Sequence, residues 1–563
     1  MRTTAATHVT AILSGPQPVD GDSHLRTALA GLGVTVITAD GPAATARAVA
    51  SSSHSGKIAL VDPRLAAHPH ALRLALLDPR WEAAHAPGIL VVTGSARDRL
   101  AAELRAIPDL TAHRVDGTSP AARLTAPKPL LADEFARQLQ DLGVDVHETT
   151  LPPGLVAQLV AEPLSARKDV YAEIAAVDDE AIRLRRAVKG DDGPFTTFCV
   201  STWTRYLARW AAHRGWSPNL VTTLSLLLAL AGAGAAATGT RAGYICTAFA
   251  LFLSFALDCT DGQIARYSLQ FSRLGAWLDA TFDRVKEYAV YAGLALGAVR
   301  GSSHGSHDHG VWLLAAAAMA LQTLRDHIDF AHNESLRGQP STASSVTVAD
   351  APRRSLGYWA RSFVVLPIGE RWALIAILIA FTSPSVVFSV LLIWGLLAAA
   401  YTVTDYVRRS LAGNGIRSEA AVAALEAMCD TPLPSTIAAN RRDSLSGRLG
   451  WLMPPALLLI SYELILDPVI IHQDFGAAIF AFLAAAIWHQ YDIVYRTRAN
   501  AAQSPRWLAI ALGGNIGRAV VLVVLGLVVG VLAVWLLAAY VAVLSVGDSL
   551  RFWTRPTTPA LPD

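Results

Sequence analysis

From Asn219 onward the chain is dominated by long runs of Leu, Ala and Val, whereas before it short apolar runs alternate with charged and proline-bearing stretches. Runs long enough to cross a bilayer as helices fall at 219–240, 243–260, 275–299, 311–330, 370–388, 386–407, 450–471, 475–494 and 518–545, the fifth and sixth as a tight pair. That pattern predicts nine spans, give or take one. A polar stretch, 412–447, divides the first six from the last three.

The front part carries a different period. β-rich runs at His8–Leu13, Val34–Thr38, Lys57–Asp62 and Gly88–Thr93 are separated by Ala-rich helical stretches, an alternation that predicts an α/β domain with a mainly parallel sheet. The turn after the first run reads Ser14-Gly15-Pro16-Gln17-Pro18. It is neither a GxGxxG turn nor a P-loop, and its prolines remove donors that would cradle phosphate. A regulatory or packing role is expected, with Asp62 at a strand end kept as a candidate metal ligand. Between Trp203 and Trp210 aromatics and Leu207 fall on one side and Arg205 and Arg209 on the other, the pattern of a helix lying on a membrane surface.

The fold class that follows is an α-helical polytopic membrane protein, a six-helix core plus about three extra C-terminal spans, behind an N-terminal soluble α/β domain. Its expected parts are 1–155, the α/β domain; 156–212, a helical linker with the interfacial helix; 213–411, the membrane core; 412–447, a polar linker; and 448–563, the C-terminal spans. A hydrophobic fraction of 53%, a charged fraction of 16% and a mean hydropathy of +0.37 agree with a membrane protein and not with a soluble enzyme.

A net charge of +2 with no basic-aromatic cluster excludes nucleic acid as an expected partner. Cys199, Cys246, Cys259 and Cys429 lack CxxC spacing and read as reduced, mostly buried thiols. The polar Met1–Thr10 lacks the apolar stretch of a secretory signal. With the N-terminus inside, arginines concentrate in the expected cytoplasmic loops, so the positive-inside rule places the α/β domain and the site below at the cytoplasmic face. The bias to Arg and Ala suggests a bacterial cell membrane. The outer loop 301–310, with His304, His307, Asp308 and His309, reads as a flexible linker.

The chemistry concentrates where the second span ends and the third begins. Asp258 and Asp261 are spaced i,i+3, and Asp279 and Asp283 i,i+4, so each pair shares one face of its helix. An uncompensated carboxylate near a helix centre costs about 2.5–3.5 kcal/mol by insertion scales. Cations must offset that, and oxygen-only ligands favour Mg2+ or Mn2+. A pair of such ions clamps a pyrophosphate, so a phosphate-bearing substrate is expected. Gly262 and Gly275 leave backbone open to a nucleotide, Ala265 keeps the helix interface thin, and Arg266 can donate to phosphate oxygens.

These residues match D-x2-D-G-x2-A-R-x8-G-x3-D-x3-D, the signature of the CDP-alcohol phosphotransferase family, without departure. The resemblance covers about 197–409, and Pro218-Asn219-Leu220-Val221-Thr222 resembles the family's entry to its first span. It implies a CDP-linked lipid or alcohol as donor, a small alcohol or sugar-phosphate acceptor, CMP release, and a homodimer as the family often forms. It further implies that Asp258, Asp261 and Asp279 hold two metal ions with Asp283 close to one, that Asp283 is the base, and that Gly262, Ala265, Arg266 and Gly275 lie against the CDP moiety. Arg325, Arg361 and Arg371 are candidate acceptor-binding cations, for an acceptor such as inositol phosphate.

The front half is weakly similar to the cytidylyltransferase of bifunctional inositol-phosphodiester synthases, through Asp191-Asp192-Gly193. Its AxGxGxR start is missing, so a degenerate nucleotidyltransferase-like domain is expected. Among the last spans, Trp488 and Tyr491 read as an interfacial aromatic belt, beside His489, Asp492 and Asp548. Two rival classes stand beside the enzyme: a transporter binding a cation at the aspartates, and a non-catalytic scaffold.

Overall fold

A computed structural model gives the fold, with residues 8–14, 23–39, 41–52, 56–106, 131–152, 155, 157–159, 164–190, 192–301, 310–337, 356–413, 417–431, 435–471 and 475–555 described. The turn at 15–18, Asp191 and the histidine-bearing loop 302–309 lie outside them.

In the N-terminal domain β1 (Val9–Ser14), β2 (Thr35–Ala39), β3 (Lys57–Val61), β5 (Ala83–Ala86), β6 (Ile89–Val92) and β7 (Val146–Glu148) form one sheet in the order β2-β1-β3-β6-β5-β7. A short β4 (Leu65–Ala67) pairs with β8 (Ala157–Leu159) apart from it. The sheet is mainly parallel with one reversed strand: β1 runs parallel to β2 and β3, β5 runs parallel to β7 and in the same direction as β3, and β6 is antiparallel to both of its neighbours. The cause is local. Only Pro87 and Gly88 join β5 to β6, and Gly88 at φ 75° closes a two-residue hairpin that permits no crossover.

Asp62, expected as a metal ligand, is taken up by its own loop. Its Oδ1 accepts from the Arg64 backbone at 2.8 Å and from Nε at 3.1 Å, and its Oδ2 from Nη2 at 2.8 Å. Helix α1 (Pro69–Leu77) ties the domain to the membrane part: Arg73 donates to the Tyr267 carbonyl at 3.3 Å and the Ser268 carbonyl at 2.9 Å. Those are last-turn carbonyls of a membrane helix, a favoured place for a cation.

Next come α2 (Asp179–Ala187) and α3 (Ser201–His213). On α3, Trp203, Tyr206 and Trp210 are exposed, while Arg209 pairs with Glu180 of α2 at 3.0 Å. The expected amphipathic helix is thus present, with its aromatic side open.

The membrane core comprises α4 (Pro218–Ala236), α5 (Arg241–Ser268), α6 (Arg273–Gly301), α7 (Gly310–Glu334), the pair α8 (Leu356–Val365) and α9 (Ile368–Phe381), and α10 (Pro384–Ala412). The pair α8 and α9 is bent by 64°. Among the described residues seven helices are long and apolar enough to cross a membrane, or eight with that pair as one span. The others, α6 and α7, have 29 and 25 residues and lie in the same bundle, but the charges they carry lower their hydropathy. The chain is a multi-pass membrane protein.

The C-terminal part departs from expectation in two ways. The run predicted at 518–545 is two helices, ending at Val529 and restarting at Val531, because Gly530 at φ 98° leaves helical geometry. Among the described residues four candidate spans therefore follow the core, at 450–467, 476–498, 506–529 and 531–553. Secondly, the polar stretch 412–447 is more than a linker. Its helix α11 (Glu419–Met428) buries Leu425 and Met428 with Leu445, Trp451, Ile328 and Val494. The cysteines are all free, though Cys199 and Cys246 are exposed where mostly buried thiols were expected.

Small residues set how closely the core helices approach. A Cβ on Gly293 would stand 2.3 Å from the Ala233 carbonyl oxygen, and one on Gly297 2.1 Å from that of Ala236. Glycines four apart on α6 thus press their backbone onto α4, as small residues do in membrane helix pairs. Gly293→Ala is expected to cost about 1–3 kcal/mol by overpacking, read as a lower unfolding midpoint in detergent. Gly234→Ala, where nothing lies within 4 Å, should leave the midpoint unchanged. Equal midpoints for both variants would contradict the close crossing.

Candidate active site

Three helices converge on the aspartates. On α4, the Ser217 hydroxyl caps the first turn by accepting from the Leu220 N–H at 3.3 Å, with Pro218 at the first helical position. That start places Thr222 to donate to Asp261 Oδ2 at 2.6 Å. Ser225 and Ser254 lock α4 to α5, each hydroxyl donating to the other's carbonyl at 2.8 Å. The end of α5, with Leu269 at φ 56°, turns the chain so that α6 returns alongside.

One carboxylate oxygen each from Asp258, Asp261 and Asp279 lies within 4.8 Å of the others. That spacing is within a short side-chain adjustment of one hard divalent ion, whose bound oxygens at about 2.0–2.1 Å stand at most roughly 4.2 Å apart. Asp283 falls outside this triad. It pairs instead with Lys286, whose Nζ lies 2.9 Å from its Oδ1. Lys286 also donates to Asp258 and to Ser225.

The other residues of the signature gather on the same spot. Arg266 lies over Gly262, where a Cβ would meet its guanidinium at 3.2 Å, and its Nε donates to the Ala187 carbonyl at 2.6 Å. A Cβ on Gly275 would meet Asn219 Oδ1 at 2.7 Å, so that glycine lets the start of α4 approach the start of α6. Gly193 rests on Glu370, which accepts from the Phe195 N–H at 3.0 Å. The Asp192-Gly193 stretch is thereby fastened beside the site.

The three arginines expected to bind an acceptor have partners of their own. Arg371 is buried and grips Glu287 on α6, Nε to Oε1 at 2.8 Å and Nη2 to Oε2 at 3.0 Å. Arg361 pairs with Asp405 at 2.5 Å, and Arg325 donates to Gln322 at 3.1 Å and to the Val365 carbonyl. Arg325 and Arg371 line one small cavity with Tyr291 and Gln322.

Tyr491, expected in an aromatic belt, is buried and donates to Asp326 Oδ2 at 2.6 Å. Asp492 pairs with Arg496 at 2.8 Å, and Arg496 in turn with Asp548 at 2.7 Å. The Asp492–Arg496 pair lies within one helix, i,i+4, and the Arg496–Asp548 pair braces that helix to the span at 531–553. Sequence reasoning missed Lys286, Thr222 and the Glu287–Arg371 pair. A signal existed for Lys286: it is the last lysine in the chain and sits three residues after Asp283.

Residues 216–404 match the CDP-alcohol phosphatidyltransferase family. Residues 371–563 match a family of unknown function (DUF5941). The chain is similar to a bifunctional IPC transferase and DIPP synthase of Rubrobacter xylanophilus, 38% identical over 120 residues, 21% of this chain and 27% of that protein. It is similar to a phosphatidylinositol phosphate synthase of Streptomyces avermitilis, 39% identical over 99 residues, 17% of this chain and 39% of that protein. A bifunctional IPC transferase and DIPP synthase of Aquifex aeolicus is 32% identical over 100 residues, 18% of this chain and 21% of that protein. The chain thus spans well under half the length of each of these relatives.

Thr222 acts on a candidate metal ligand from behind. Losing such a partner typically weakens metal affinity about 10–100-fold, so Thr222→Val should show that loss in a Mn2+ titration of the purified protein while its unfolding midpoint holds. Unchanged affinity would contradict the ligand role of Asp261.

Proposed function

We propose that the protein transfers a phosphatidyl group from a CDP-linked lipid to the hydroxyl of a small polyol or polyol phosphate, releasing CMP, at the cytoplasmic face of a bacterial cell membrane. The observation that carries this reading is the carboxylate triad of Asp258, Asp261 and Asp279, with Arg266 over Gly262 beside it. Phosphatidylinositol phosphate synthesis by a relative supports an inositol phosphate acceptor.

When bound, Mg2+ or Mn2+ would neutralise the pyrophosphate and the departing CMP. The triad Asp258, Asp261 and Asp279 would hold it. Arg266 donates to phosphate oxygens, and Gly262, Ala265 and Gly275 leave room for the nucleotide. Asp283, ion-paired with Lys286, takes the proton from the acceptor's hydroxyl oxygen. That oxygen bonds to the phosphorus bearing the lipid as the bond from phosphorus to CMP breaks; the proton stays on Asp283 and the electron pair leaves with CMP. Arg325 and Arg361 are the cations assigned to the acceptor's phosphate. Neither a transporter nor a scaffold requires a glycine under Arg266 or a fourth aspartate one turn from the triad.

The test is CMP release by purified protein given Mn2+, CDP-diacylglycerol and a panel of polyols and polyol phosphates. Release that depends on one acceptor is expected, and Asp283→Asn should lower kcat about 10²–10⁴-fold with donor binding retained. No CMP with any acceptor, together with metal-coupled ion flux in liposomes, would overturn the reading in favour of transport.

A further inference from the structure

Lys286 stands where the site would need a second cation. It lies on the aspartate-bearing face of α6, with its side chain 1% exposed. Its ammonium contacts Asp258 Oδ1, lies 2.9 Å from Asp283 Oδ1 and donates to Ser225 Oγ at 3.2 Å. An ammonium has three N–H donors and here faces three oxygens. Neither end of this arrangement is loose. Ser225 is fixed by its exchange with Ser254, and the Trp372 ring lies 5.7 Å from the ammonium.

The carboxylates therefore divide into two sets. Asp258, Asp261 and Asp279 present oxygens to one point, whereas the edge between Asp258 and Asp283 is closed by a charge the chain carries itself. An ion shared by Asp258 and Asp283 would have to displace a buried cation whose escape is blocked by packed helices, and like charge opposes its entry. The residues thus fit one divalent ion and do not fit the second that the signature implies.

We infer that this chain holds a single divalent ion, on Asp258, Asp261 and Asp279, and that Lys286 supplies the second positive charge in place. Lys286 is then a positioning residue for Asp283. This deepens the transferase reading and rests on it, but its test does not depend on turnover.

The test counts ions in the full-length protein. After equilibrium dialysis against Mn2+ in detergent, wild type is expected to retain one Mn2+ per chain, with the resolved six-line EPR spectrum of an isolated ion. Lys286→Met, which removes the charge and keeps the bulk, is expected to retain two, with a spectrum broadened by spin coupling. Lys286→Gln serves as the second variant should the first not fold, and the wild-type count decides independently of both. Two coupled ions in wild type, or one ion in the folded variants, would overturn the inference and leave the transferase reading standing. No bound Mn2+ in wild type would overturn both, and one ion without CMP release would overturn the transferase reading alone.

Discussion

A buried carboxylate in an apolar helix bundle must be matched by a nearby cation or donor, and the architecture of the core follows from that constraint. Helix α6 carries it on two sides. Toward α4 and α5, Asp283 and Asp258 meet Lys286 and Asp261 meets Thr222. On its other flank Glu287 meets Arg371 of α9, and Arg284 meets Asp326 of α7 at 3.1 Å and lies over the Tyr491 ring. A helix with this many charges could not stand in lipid alone. It is stable because each neighbouring helix brings a partner, and the same pairs fix its rotation so that Asp279 points at Asp258 and Asp261.

The backbone contacts make this arrangement possible. Gly293 and Gly297 bring α6 onto α4, which is what lets Ser225 meet Lys286 on the acidic face. The α/β domain reaches the same place from outside, through Arg73 on the last carbonyls of α5. The C-terminal helices pack on α7 and touch α6 through Tyr495, which donates to the Ala280 carbonyl at 3.1 Å. Each added part is thus anchored to a helix that carries site residues.

Much of the core was legible in the sequence because its signals are periodic or fixed in spacing. The aspartate pairs at i,i+3 and i,i+4 specify one helix face each, and the apolar runs specify the spans that contain them. What stayed hidden depended on contacts between distant segments. Nothing near Arg371 indicates that Glu287 will close on it, and Tyr491 looks interfacial until Asp326 is known to lie opposite. Gly530 within an unbroken apolar run does not announce a chain reversal, since glycine is common in membrane helices. The one reversed strand, β6, was missed for a different reason: Pro87-Gly88 is a visible turn signal, outweighed by the alternation of strand and helix around it.

The central claim is that the aspartates between Asp258 and Asp283 receive a CDP-linked substrate through a divalent ion. Anomalous diffraction from crystals grown with Mn2+ and CDP tests it most directly. The account predicts a Mn2+ peak among Asp258, Asp261 and Asp279, with the pyrophosphate beside Arg266 and the nucleotide over Gly262 and Gly275. Mn2+ or nucleotide lodged instead in the α/β domain, or in the separate cavity lined by Glu426, Asp430 and His489, with the aspartate triad empty, would contradict it.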